Sequence, residues 1–210
     1  MENLFLIRHG ESKQNVGINL KEKLPDHAVE LTENGKEMAR ETGIWLNEYL
    51  IKNSIDLSHA RLYVSPFTRT RQTAELINES LKIEDVIEDY LLVEHQYGLF
   101  SDTKWRELKE LFPTEFEYYD RFYKHGGKFY QRFPMGESPM DVAVRTRMFL
   151  NELKNEDVEN VFIVSHGTAL KTLIMNYFKY NPDWYAHTRT FTNCEVRQID
   201  KDKNMKILRK

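Results

Sequence analysis

Apolar positions along the chain fall into two patterns. Short, largely apolar runs stand at residues 4–7, 61–64 and 161–164, and each leads into a longer stretch with apolar residues three and four apart. The first pattern predicts buried strands, and the second predicts amphipathic helices. Thr32, with Glu33 beginning the first turn, is read as the cap of a helix through Met38, Ile44, Trp45 and Leu50. Ser65-Pro66 reads as a cap followed by proline at the first helical position, opening a helix through Ala74 and Ile77. Ser138-Pro139 repeats the device, with Asp141 placed for a capping-box role before Val142, Arg145, Phe149 and Leu153. The run "TALKTLIMNYF" after His166-Gly167 is apolar at helical spacing, and residues 190–199 and 205–208 read as closing strands. Alternating strands and helices predict an α/β sandwich with a largely parallel sheet.

Between Leu99 and Pro134 the alternation stops and aromatics mix with lysines, so this segment (about 99–136) is read as a helical or loop insertion over the edge of the sheet. Within it, "TKWRELKELF" places Trp105, Leu108, Leu111 and Phe112 on one stripe expected to be core, and Gly126-Gly127 is the expected hinge of a lid. At 210 residues, the chain is expected to form one domain over 1–210. Its 30 basic and 33 acidic residues give a net charge of -3 and no bulk attraction to nucleic acid or anionic membrane, so any anion site must be a local gathering of arginines. A lone cysteine, Cys194, suits a reducing compartment. No apolar run approaches the roughly 18 residues of a membrane span, and no basic segment precedes the first apolar run as in a signal peptide. The expected location is cytoplasmic, with a homodimer left open.

The chemistry lies in a phrase written twice, "NLFLIRHGES" and "NVFIVSHGTA", each an apolar strand delivering His-Gly at its end. Ligand crevices of open α/β sheets lie at the C-terminal ends of strands, so His9 and His166 are expected to share one. A metal site would need a third ligand, and the chain has no HExxH, paired cysteines or carboxylate–histidine cluster of ligand spacing. Acid–base work and nucleophilic attack by imidazole both remain. In "LYVSPFTRTRQTAE", Arg69 lies in the first turn of the predicted helix and can point back to the sheet edge, whereas Arg71 lies roughly 200° around the helix. Arg8, Arg69 and two histidines describe a pocket for a dianion, with phosphate the expected one.

"LIRHGES" with Asn15, "SPFTRTRQTAE", "EHQYG" and "VSHGTAL" together resemble the motifs of the histidine phosphatase superfamily, phosphoglycerate-mutase-like branch. "GKFYQRFPMGESPMDV" is similar to a subgroup of small mutase-like phosphatases. The resemblance implies a three-layer α/β/α sandwich with a mostly parallel central sheet, an insertion over its C-terminal edge, and a phosphohistidine intermediate formed without metal or other cofactor. It implies that His9 is the nucleophile, that Arg8, Arg69 and His166 bind the phosphoryl group, and that Glu94 donates the proton. His166, if protonated, would add a third cation, and the apolar "LLV" before Glu94 is expected to desolvate that carboxyl. Asn15, Ser12, Tyr97, Gly167 and Thr168 are expected to contact substrate. His95 is placed at the pocket entrance or in solvent, and Asp102 and His95 are the nearest titratable alternatives to Glu94.

The carboxylate clamp of the glycolytic mutases has a lysine and an arginine pair, whereas here Lys104 stands at an unequal distance and Arg106 alone. That departure favours a phosphomonoester phosphatase acting on a small phosphorylated metabolite over a phosphoglycerate-type mutase. The reading from another class is a non-catalytic phosphate-binding or scaffold protein, which would not need His9 and Glu94 together. Nucleic acid and membrane are not expected partners.

Overall fold

The apolar runs become the middle of a sheet. The computed structural model describes residues 1–18, 24–101 and 103–210. Among these residues the strands are β1 (Asn3–Arg8), β2 (Ala60–Val64), β3 (Asp85–Glu88), β4 (Asn160–Ser165), β5 (Val196–Asp200) and β6 (Met205–Arg209). Their spatial order is β3-β2-β4-β1-β5-β6. The first four run parallel, while β5 and β6 join antiparallel beyond β1. The main helices are α1 (Glu33–Lys52), α2 (Thr68–Leu81), α3 (Leu108–Leu111), α4 (Pro113–Lys124), α5 (Pro139–Leu153), α6 (Gly167–Phe178) and α7 (Pro182–His187).

Because strand side chains alternate, each apolar run supplies two cores. Phe5, Ile7, Leu62 and Phe162 face α1 and α2, packing with Leu46 and Ile77. Leu4, Leu6, Val161 and Ile163 face α5 and α6, packing with Phe149 and Leu170. Both faces are covered, which is why these strands read as largely apolar runs. The result is the three-layer α/β/α sandwich with a mostly parallel sheet.

Several local expectations need correction. Helix α2 begins at Thr68 after an extended Phe67, so Ser65 lies too early to cap it; its hydroxyl meets His166 instead. Thr32 does cap α1, accepting from the Gly35 N–H. The buried face of α1, however, is Gly35, Ala39, Thr42, Gly43, Leu46 and Leu50, and Ile44 is exposed. Small residues win this face because α1 lies close against α2, backbone to backbone. The last part of the chain pairs only from Val196, because a turn with Cys194 at φ 53° interrupts the expected strand over 190–199. The Ser138 capping box forms as expected.

In the insertion, Phe100, Leu108, Tyr119 and Phe133 make a small core of their own. Of the expected stripe only Leu108 is fully buried; Trp105 and Leu111 are exposed, since a 3-10 turn at Trp105–Glu107 and Pro113 at the start of α4 break the helical phase. The segment meets the sheet edge where the Gln14 amide donates to the Ser101 carbonyl at 3.3 Å.

A Cβ on Gly43 would stand 2.8 Å from the Ile77 carbonyl oxygen across the α1–α2 contact. Gly43→Ala is therefore expected to lower stability by about 1–3 kcal/mol despite its better helix propensity, read as a lower urea midpoint with the same m-value.

Candidate active site

The site is assembled by register. Parallel pairing sets Arg8 of β1 opposite Ser165 of β4, so the next residue of each strand is a histidine, and the His9 and His166 rings come to 5.2 Å between centroids. The Ser65 N–H continues the β2–β4 ladder to the Val164 carbonyl, and the Ser65 hydroxyl lies 2.8 Å from His166 Nε2. Three strand ends thus form one floor. Gly10 lets the chain leave that floor: a Cβ there would stand 2.4 Å from the Gly35 carbonyl oxygen in the first turn of α1.

His9 is buried, and its Nδ1 is 2.7 Å from the Gly10 carbonyl oxygen. A carbonyl only accepts, so Nδ1 carries the proton and Nε2 keeps its lone pair. Burial, reinforced by the Arg69 and Arg8 guanidinium groups, pushes His9 well below the usual imidazole range. The ring is a neutral imidazole with a fixed tautomer. Asn193 adds to the fixture, its amide donating to the carbonyls of His9 and Gly10 at 3.1 and 3.0 Å and to Asn15 Oδ1 at 3.1 Å.

Burial also holds His166 well below the usual range, with Arg69 adding to the effect. In this pocket His166 is therefore neutral, a hydrogen-bonding group rather than the third cation its position suggested. Among the described residues, two of the few buried side-chain nitrogens without a hydrogen-bond partner are His166 Nδ1 and Arg8 Nε. Arg8 lines the pocket itself, whereas His166 is fully buried and meets the pocket through its ring contact with His9. Arg8 is anchored by Nη1 on the Phe191 carbonyl at 2.6 Å.

Arg69 is buried and does reach the sheet edge, as its place in the first turn of α2 requires. Its guanidinium stacks on Phe67 at 5.0 Å and pairs with Asp26. Arg71 points away to Glu88. Arg8, His9, Arg69 and Glu94 line one cavity of about 240 Å³, together with Ser12, Asn15, Tyr97 and Asp26. Asn15 uses its Oδ1 to accept from Ser12, which leaves its amide N–H groups as donors. Thr168 contributes its backbone N–H, 3.2 Å from Glu94 Oε1. Gly167 starts α6, where a Cβ would come 3.8 Å from both Arg8 Nε and Glu94 Oε2.

Glu94 is half-buried, also accepts from the His95 N–H at 2.8 Å, and is held by its backbone. Arg145 of α5 donates to the carbonyls of Leu91 and Glu94 while pairing with Glu137, and Ser165 Oγ donates to the Leu92 carbonyl. His95 is neither at the entrance nor in solvent. It is buried beside Tyr97 and Phe133, with Nε2 on the Glu137 carbonyl. Asp102 lies outside the described residues. The sequence reasoning missed Asp26, Asn193 and Arg145, which sit in turns or mid-helix with no motif to mark them. Among the described residues no group of three or more His, Cys, Asp or Glu lies together as a metal site would need, and no helix is long and apolar enough to cross a membrane.

Comparison with known proteins gives a consistent result. The model of the histidine phosphatase superfamily (branch 1) matches residues 4–210. A phosphoglycerate mutase-like protein of Arabidopsis thaliana is 31% identical over 94% of this chain, which spans only 64% of that relative. A broad-specificity phosphatase of Saccharomyces cerevisiae is 29% identical over 99% of this chain and 84% of its own length. Among solved structures, a mycobacterial glucosyl-3-phosphoglycerate phosphatase superposes with a TM-score of 0.76 at 20% identity, covering 100% of this chain and 98% of the other. The alpha-ribazole phosphatase of Shigella flexneri gives 0.76 at 22% identity, covering 99% and 95%. At these identities the structures share the fold.

Burying neutral His9, His95 and His166 has a cost in acid. Burial is the leading cause of the lowered value in all three. Below the ordinary value of 6.5 the unfolded chain binds protons that the folded chain refuses, so their stabilising contribution is full above pH 6.5 and lost as pH falls. Unfolding free energy is expected to drop from about pH 6.5 to 5.5 by up to about 1.4 kcal/mol per pH unit for each such histidine. Urea titrations across that window test this, and a flat profile would contradict it.

Proposed function

The chain belongs to the histidine phosphatase superfamily, and we propose that within it this protein is a phosphomonoester phosphatase working through a phosphohistidine on His9. The observation that carries the reading is the His9 tautomer: Nδ1–H is tied to the Gly10 carbonyl, so the Nε2 lone pair is the one free to attack. The phosphoryl group lies among Arg8, Arg69, the Asn15 amide and His166, which offers Nδ1–H when Ser65 donates to Nε2. Fixed donors around three phosphoryl oxygens stabilise the transition state without reorganisation. As the Nε2–P bond forms, the P–O bond to the leaving group breaks, and that oxygen takes the proton of Glu94. Water then attacks phosphorus while Glu94 accepts its proton; the P–N bond breaks, its electrons return to Nε2, and inorganic phosphate leaves.

The mutase reading is less well supported. It needs cations to hold a carboxylate, and Lys104 and Arg106 both lie beside Glu107 on exposed surface. A small phosphorylated metabolite is the proposed substrate, and the cytoplasm the proposed location.

His9→Ala is expected to lower turnover at least about a thousandfold with the fold retained. Acid-labile, base-stable phosphate should be trapped on His9 in the parent; label on a serine or aspartate would refute the mechanism. For Glu94→Gln, alkyl phosphates should slow about a hundredfold, whereas phosphoenzyme formation from p-nitrophenyl phosphate persists, because nitrophenolate leaves without a proton. A uniform loss across leaving groups would mean that Glu94 only shapes the pocket.

A further inference from the structure

Nothing in the mechanism above uses Asp26, yet its carboxylate lines the cavity and takes hold of a phosphate-binding arginine. Arg69 Nη1 donates to the Asp26 carbonyl at 2.7 Å and to Oδ1 at 3.0 Å, and Nη2 donates to Oδ2 at 3.3 Å. A guanidinium has five N–H groups in a rigid plane. Asp26 takes both hydrogens of Nη1 and one of Nη2. The remaining two, on Nε and Nη2, lie parallel along one edge, the fork that grips two phosphoryl oxygens. Asp26 therefore leaves the arginine its phosphate-binding edge and fixes which way that edge faces.

The same carboxylate puts a negative charge on the cavity wall. Burial first, and then the neighbouring Glu94 and Asp26 carboxylates, push the Tyr97 phenol up and keep it neutral, so both acids lie within electrostatic reach of that ring. Glu94 is already assigned to proton transfer, which leaves Asp26 as the carboxylate of this wall with no part in the chemistry. Around it, Asn15, Tyr97 and Ser101 offer an amide and two hydroxyls, partners for hydroxyl groups.

We propose that Asp26 is the specificity-determining residue of this site: it presets Arg69 for two-point capture of the phosphoryl group, and it selects phosphomonoesters whose leaving group is uncharged and hydroxyl-bearing over those with a second anionic group. The proposal rests on the phosphatase reading. It makes phosphoglycerates poor substrates and polyol or sugar phosphates good ones.

The test uses a pair that differs by one group, glycerol 3-phosphate and 3-phosphoglycerate, on the intact protein and on Asp26→Asn. The parent is expected to favour glycerol 3-phosphate in kcat/KM by about tenfold or more, the scale for two charges several ångströms apart in a partly screened pocket. Asp26→Asn should shrink that ratio about tenfold, while its loss of one Arg69 hydrogen bond lowers kcat/KM for both compounds. A purely structural role would lower both and leave the ratio alone. Turnover with a ratio unmoved by Asp26→Asn overturns the proposal and leaves the phosphatase reading standing. If neither compound turns over, p-nitrophenyl phosphate separates the two failures: its hydrolysis keeps the phosphatase reading and overturns the proposal, and no hydrolysis of any of the three refutes both.

Discussion

The site depends on the in-register parallel pairing of β1 with β4. Neighbouring strands lie a little under 5 Å apart, and Arg8 stands opposite Ser165, so the residues that follow are held as neighbours by the sheet itself. The strand interiors that enforce the register, Leu4 to Ile7 and Val161 to Val164, are wholly or nearly wholly buried. A slip of one residue would exchange the side chains packed against α1 and α2 with those packed against α5 and α6. The geometry of the site and the fit of the two cores therefore depend on one register.

That arrangement has an electrostatic consequence. Two imidazoles removed from water beside two guanidinium groups cannot keep a proton, and both are pushed down. The proposed role of His9 as nucleophile benefits, since only the neutral ring has a lone pair at Nε2. Net positive charge in the pocket is also tempered, because Asp26 pairs with Arg69 and leaves Arg8 as the less compensated cation. A dianion entering such a site is gripped by directed N–H groups more than by bulk charge.

Glu94 illustrates how the second wall is held. It follows a 3-10 turn at Tyr90–Leu92 rather than ending a strand, and it has no ladder to place it. Arg145 and Ser165 supply the missing anchors by gripping the carbonyls of Leu91, Leu92 and Glu94 itself. Glu94 is thus tied both to α5 and to the end of β4, the strand that carries His166 at its tip.

The sequence by itself determined the layered fold, the central strands and the residues at their ends, because apolar runs, strand-end polar groups and the Ser138-Pro139 cap are local signals that packing had no reason to overrule. His9, His166, Arg8 and Arg69 were legible for that reason. Only the tertiary structure decided the rest. Ser65 reads locally as a cap, and becomes a partner of His166 because the chain stays extended through Phe67. Ile44 fits the helical stripe, yet the close approach of α1 to α2 gives the buried face to Gly43 and Ala39. Asp26 reaches Arg69 across 43 positions and Asn193 reaches Gly10 across 183. Such partners have no spacing along the chain to betray them, because what joins them is the folding of distant turns over one sheet edge.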